Sequence, residues 1–233
     1  MQRRKPSESL SSKLSVKAIR NRKLSGLKGL VIIFNSESCY HYFTNPDFRN
    51  VVNRCEAVCI DGIGVALAMR LRGHRATRYH GPDVLSDLVQ SGQAENFTLI
   101  GGSEEISEVE VCSFFRSHVS LPRSNNVPYL FDITRQCLER HDHSNSKFLV
   151  SLGLPKQELF SAYLISYLQS KGPESVIIPI GAAIDFHFGY KVRSSTMWQY
   201  FGLEWLPRLL REPRMFPRIL RSLGGVFLLL LGR

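Results

Sequence analysis

Asp61 closes a short apolar run, Ala57-Val58-Cys59-Ile60, and is followed by Gly62-Ile63-Gly64. A helical pattern then covers Val65, Ala66, Leu67, Ala68, Met69 and Leu71. In open α/β sheets, groups at the carboxyl ends of strands face the ligand crevice. A carboxylate there can take a proton from an acceptor hydroxyl or grip a ribose. It can equally cap the helix that follows, and spacing alone leaves both roles open. Gly101-Gly102 and Gly153-Leu154-Pro155 also end apolar runs and precede helical patterns. Such turns present backbone N–H groups to phosphate or sugar. Gln157-Glu158 follows the second turn directly, where an amide and a carboxyl can bond a sugar ring or simply complete a helix N-terminus.

Other chemistries find less support. Neither glycine turn is a GxGxxG fingerprint or a Walker A loop. His141-Asp142-His143 lies in a Ser/Asn-rich stretch and reads as a surface loop rather than a metal cluster. No Asp-x-Asp triplet supplies carboxylates for a metal on a nucleotide diphosphate, so arginines would neutralise such a leaving group instead.

The elements that must position these residues alternate in kind. Leu30-Val31-Ile32-Ile33-Phe34 is a continuous apolar run, as in a buried parallel strand, and Asn35 stands at its carboxyl end. A helix is expected over about residues 37–53, before the strand that ends at Ile60. Gly81-Pro82-Asp83 opens another helix, with Pro82 in its first turn. Residues 97–102 read as a strand entering a glycine turn, and Glu104 to Arg116 as the helix after it. Residues 147–153 repeat the strand-and-turn pattern, followed by a helix from Lys156 to Gln169. Residues 175–181 repeat it once more. Strands and helices at this spacing imply an α/β fold with a mostly parallel, doubly wound sheet.

The 233 residues carry a net charge of +10 and are 43% hydrophobic, enough for one sizeable core. The charge is uneven. Residues 1–28 hold nine Lys or Arg against one Glu, and residues 206–233 hold six Arg against one Glu. The body between is therefore mildly acidic, and the basic ends suit an anionic surface such as phospholipid, nucleic acid or a diphosphate. Residues 1–28 read as a mobile arm, although Leu14 to Ile19 has the spacing of a short helix. Five cysteines without a CxxC pair fit reduced core thiols in a cytoplasmic protein. The N-terminus lacks a signal-like apolar region, and no apolar stretch is long enough to span a bilayer. After about residue 190, leucines and aromatics alternate with Arg208, Arg211, Arg214, Arg218 and Arg221. The apolar run from Val226 to Leu231 then suits a dip into a membrane surface, with arginines facing head groups. Folding back onto the core, or packing on a second copy in a homo-oligomer, are the other uses of that tail.

Six segments, in order, resemble one family: Asp61-Gly62-Ile63-Gly64-Val65; Arg78 with Gly81 and Asp83; Gly101-Gly102; Gly153-Leu154-Pro155-Lys156-Gln157-Glu158; Gly181-Ala182-Ala183-Ile184-Asp185-Phe186; and Gly202-Leu203-Glu204-Trp205-Leu206-Pro207-Arg208-Leu209. Together they are similar to the WecG/TagA/CpsF glycosyltransferases, glycosyltransferase family 26, over about residues 30–220. The resemblance implies a Rossmann-like mostly parallel sheet with helices on both faces, the GT-E type. This would be a catalytic domain over 29–190 with a C-terminal helical, membrane-associating appendage over 191–233. It also implies inverting, metal-independent transfer from a UDP-sugar, often UDP-N-acetylmannosamine, without a cofactor. The implied acceptor is a polyprenyl-diphosphate-linked sugar at the cytoplasmic membrane face, in envelope or exopolysaccharide synthesis.

By residue, the resemblance makes Asp61 the general base. It places Asn35, Gly62, Gly101, Gly102, Gly153, Gln157, Glu158, Gly181 and Asp185 on the donor side. It places Arg78, Arg208, Arg211 and Arg214 around the acceptor and diphosphate. This chain departs from the family pattern at Ile33, where threonine is usual, and at Arg193-Ser194-Ser195, where Arg-Ala-Pro is usual. Those departures motivate a second reading, a degenerate transferase that binds donor without turnover. The basic ends motivate a third, a non-enzymatic module for nucleic acid or acidic polymer, which lacks any nucleic-acid-binding motif.

Overall fold

The computed structural model describes residues 10–19, 26–140, 147–171, 174–192, 195, 197–198, 205–211 and 213–231. Among these, six strands form one parallel sheet: β1 (Gly29–Phe34), β2 (Ala57–Ile60), β3 (Thr98–Gly101), β4 (Ser117–Val119), β5 (Lys147–Ser151) and β6 (Val176–Pro179). Their spatial order is β2-β1-β6-β5-β3-β4, and every pairing is parallel. The apolar runs are buried on both sides because helices cover both faces. On one face, Leu30, Ile32 and Phe34 pack with α2 (Ser36–Thr44), α3 (Pro46–Arg54), α4 (Ile63–Leu71), α7 (Val127–Arg140) and α8 (Lys156–Lys171). On the other, Val31 and Ile33 pack with α5 (Gly81–Gln90), α6 (Glu108–Cys112) and α9 (Ala183–His187). The chain thus leaves β1 toward one face and its neighbour β6 toward the other. That reversal is the switch point at which open α/β sheets form their ligand crevice.

Several elements differ from the sequence expectation. The helix expected over 37–53 is two helices. Pro46 has no N–H to donate and starts α3, and the Asn45 side chain caps it by accepting from the N–H groups of Asp47 and Phe48. The helix expected from Glu104 to Arg116 is only the five-residue α6. Ser107 and Glu110 form a capping box that fixes its start, and Ser117–Val119 then leaves as β4, which the sequence reading lacked. Within the basic N-terminal segment, Leu10–Lys17 forms α1, whose Leu10 and Leu14 are buried one turn apart. Lys17 donates to the carbonyls of Asn53 and Cys55, and Ile19 N–H reaches Val58 O at 2.9 Å.

The C-terminal segment folds back onto the body. After α10 (Trp205–Arg211) and a 3-10 turn at Pro213–Met215, α11 runs from Phe216 to Leu231. Pro217 sits in its first turn, where a missing N–H costs nothing, so it does not break the helix. Ile219, Gly225 and Leu229 are buried against α2 and α4. The approach is close enough to require glycine: a Cβ on Gly225 would stand 2.3 Å from Ser36 O and 2.6 Å from Tyr40 N. Arg72 Nη1 donates to Leu230 O at 3.1 Å, meeting a helix-end carbonyl with positive charge. The opposite side of α11 exposes Phe216, Leu220, Leu223, Phe227 and Leu231, one stripe at helical spacing. The neighbouring α4 exposes Ile63, Leu67 and Leu71 in the same manner. Of the uses of the apolar tail that the sequence left open, folding back onto the body is observed, on one side of this helix. No described helix is long and apolar enough to cross a membrane.

Candidate active site

The Asp61 loop is built by three elements. Asp61 N–H donates to Phe34 O at 2.8 Å, which ties it to the carboxyl end of β1. Gly62 is the N-cap of α4, with φ of +82° and no side-chain cap bond. Only glycine holds that conformation without strain, and the aspartate itself is freed from capping. The third element is the strand-like segment Arg78–His80, which runs parallel to β2: Arg78 bridges Ile60, and Tyr79 N–H donates to Ile60 O at 2.8 Å. It brings His80 to Asp61, and Nδ1 of the imidazole meets Oδ1 of the carboxylate. The Asp61 side chain remains 26% exposed, so it is both held and reachable. Sequence reasoning missed His80. Its only signal is a polar ring between Arg78 and Gly81 in a loop.

Asn35 caps α2. Its Oδ1 accepts from Ser38 N–H at 3.0 Å, and Ser38 Oγ accepts from Asn35 N–H at 3.1 Å. The α2 N-terminus lies against the Asp61 loop, since Cβ atoms on Gly62 and Gly64 would stand 3.9 and 2.9 Å from Ser36 Oγ. Val226 of α11 is equally near Gly64. The appended helix therefore packs within three residues of Asp61. Ile33, the departure from the family pattern, is buried with α5 and α9. Its Cδ1 would stand 3.3 Å from a Cβ on Gly81, so its side chain serves packing there.

The second half of the site gathers at β3, β5 and β6. Gly102 N–H donates to Ser151 O at 2.9 Å, and Ser151 Oγ donates to Gly181 O at 2.8 Å. Gln157 N–H donates to Gly153 O at 2.9 Å, and a Cβ on Gly181 would stand 3.7 Å from the Gln157 amide. The turn residues Gly101, Gly102, Gly153 and Gly181 thus form one cluster with Gln157. Gln157 Nε2 donates to Glu158 Oε1 at 2.9 Å. Gln157 Oε1 and Glu158 Oε2 are buried and unpartnered among the described residues. Burial pushes the Glu158 carboxyl up to about 8, against the hydrogen bond from Gln157. Burial thus favours its neutral, protonated form.

Glu37 couples the halves to the C-terminal helix. Its buried carboxylate meets Arg218 Nε at 2.6 Å and accepts from Arg221 Nη2 at 2.8 Å. Glu37 also lies close enough to Glu158 to help raise its pKa, which Arg218 opposes. Neither Glu37 nor this role of Arg218 and Arg221 was legible in the sequence. Of the other expected site residues, Asp185 is buried and ion-paired with Lys191. Arg78 is half-buried beside the end of β2, and Arg214 is exposed in the 3-10 turn. The side chains of Arg208 and Arg211, and the stretches His141-Asp142-His143 and Arg193-Ser194, lie outside the described residues. Among those described, no three His, Cys, Asp or Glu side chains group as metal ligands. All five cysteines are free, and burial pushes the thiols of Cys39, Cys55 and Cys59 up.

The fold defines the class first: a Rossmann-like α/β protein with a parallel sheet whose winding reverses between β1 and β6. The relationship within that class is specific. A model of the glycosyl transferase WecG/TagA/CpsF family matches residues 5–233. The chain belongs to that family and is a glycosyltransferase by membership.

Proposed function

We propose that the protein is an inverting, metal-independent transferase that moves a hexose or N-acetylhexosamine from a UDP-sugar to a polyprenyl-diphosphate-linked sugar. Asp61 takes the proton of the acceptor hydroxyl as that oxygen attacks the anomeric carbon. The bond from that carbon to the UDP oxygen breaks, UDP leaves, and the configuration inverts. Fixed positive charge from Arg78, Arg208, Arg211 and Arg214 offsets the charge of the acceptor and leaving diphosphates. Asn35, Gln157, Glu158, Asp185 and the glycine turns hold the donor. The observation that carries this reading is the Asp61 carboxylate at the end of β2, in contact with the His80 imidazole and still reachable.

The setting of the reaction is the cytoplasmic face of the membrane, with the protein peripheral. The support is the paired apolar stripes of α4 and α11 beside the Asp61 loop, together with the basic C-terminal segment. An acceptor carried on a lipid would meet the site where that surface meets the bilayer. The test is product formation from a panel of UDP-hexoses and UDP-N-acetylhexosamines with a lipid-linked sugar acceptor. Turnover of at least one pair is expected. UDP binding without turnover of any pair would instead support the degenerate-transferase reading that Ile33 and Ser194-Ser195 raise.

A further inference from the structure

His80 occupies a position that its own helix does not need. It is the N-cap residue of α5, yet its side chain makes no capping bond. Its Nδ1 is turned to Asp61 Oδ1 instead. The backbone on either side is fixed. Tyr79 is buried, and its hydroxyl donates to Asp87 Oδ2 at 2.8 Å. Gly81 is wedged where a Cβ would stand 3.2 Å from Ile180 O. The imidazole is therefore carried by a rigid segment and is only 14% exposed. A carboxylate can only accept, so the proton between the two groups belongs to Nδ1, which defines the neutral tautomer as Nδ1–H. Among the described residues, His80 is a hydrogen-bond partner of the Asp61 side chain.

We propose that His80 is a positioning residue for Asp61. Its Nδ1–H holds Oδ1, fixes the rotation of the carboxylate, and leaves Oδ2 as the oxygen that receives the acceptor proton. The nucleophile then meets a base in one orientation instead of a rotating one, and such orientation is a large part of what positioning contributes to rate. The inference rests on the reading of Asp61 as the base, and it adds a second residue whose loss should act only through the first.

Two substitutions of similar size separate this role from simple packing. His80→Asn places an amide N–H near the position of Nδ1, whereas His80→Gln places it near Nε2, out of reach of Oδ1. Both are compared with wild type, Asp61→Asn and the double variant Asp61→Asn/His80→Gln, using the UDP-sugar and lipid-linked acceptor of highest wild-type turnover. Melting temperatures confirm folding. The expected result is that His80→Gln lowers kcat roughly 10- to 100-fold at nearly constant donor KM, while His80→Asn stays within about fivefold of wild type. The double variant should be no slower than Asp61→Asn, because the two residues act as a unit. If Asp61→Asn is inactive while the Asn and Gln variants at position 80 fall equally, or neither falls, the His80 inference is wrong and the base reading stands. If Asp61→Asn retains near-wild-type turnover, the base reading fails and takes this inference with it. Absence of turnover from any wild-type pair overturns both.

Discussion

Asp61 and Glu158 are both carboxyls set at the carboxyl edge of one sheet, and their surroundings assign them opposite chemistry. Asp61 follows β2, is about one-quarter exposed, and receives an imidazole at one oxygen. Glu158 follows β5, is fully buried, and has one oxygen bonded to Gln157 and the other unpartnered among the described residues. Desolvation disfavours charge on the second, pushing it up to about 8. In the proposed reaction the first accepts a proton from the acceptor, whereas burial favours the protonated form of the second. The difference comes from depth rather than residue type. The β1–β2 half of the site is a loop packed under a helix from the far end of the chain, whereas the β5–β6 half is built from strand turns and lies near that helix at the Glu37–Arg218 pair.

That contrast is strongest where the two halves depend on different parts of the chain. Gly225→Val puts a side chain where a Cβ alone would stand 2.3 Å from Ser36 O. The clash should cost about 1–3 kcal/mol, as for other overpacked contacts, and lift α11 from α2. Hydrogen exchange at the start of α2 and in the Asp61 loop should then rise, while β5 and the first turn of α8 stay protected. Equal loss of protection in both halves would break the comparison.

A smaller effect tests the buried acid. Between the pKa of an unfolded glutamate, about 4.3, and the folded value of about 8, the native state holds the Glu158 proton more tightly than the unfolded state does. The unfolded state binds fewer protons in that window, so stability falls as pH rises through it. Glu158→Gln removes the titration, and its unfolding free energy should lose that downward trend relative to wild type when denaturant midpoints are compared at pH 5, 7 and 9. Parallel trends in the two proteins would mean that Glu158 is charged in the fold.

The smallest effect on the fold is expected at the outer stripe of α11. The double substitution Leu223→Ser/Phe227→Ser changes exposed side chains, so stability should shift by less than about 0.5 kcal/mol per site. Sedimentation with anionic vesicles should nevertheless fall. Unchanged sedimentation would leave the stripe without the membrane role proposed for it.

The sequence made one half of the site easier to see than the other. Continuous apolar runs ending in Asp61, Gly101 and Gly181 reveal strands because parallel strands are buried on both faces, and their ends mark the crevice. Asn45-Pro46 carried a legible helix break, since proline cannot continue α2, but the apolar pattern on both sides obscured it. β4 was hidden because Ser117–Val119 has only three residues and little apolar pattern. Contacts between distant segments were not legible at all. Nothing local joins Glu37 to Arg218 and Arg221 across more than 180 residues, and nothing local turns His80 from helix cap to carboxylate partner.

The central claim is that Asp61 does the proton chemistry while the rest of the crevice binds. The most direct measurement is turnover and UDP affinity on the same preparation of Asp61→Asn, with the active donor and acceptor pair. Turnover should fall roughly 10²- to 10⁴-fold, the range for removal of a general base, with UDP affinity unchanged. Near-wild-type turnover, or loss of UDP binding in step with activity, would contradict the account.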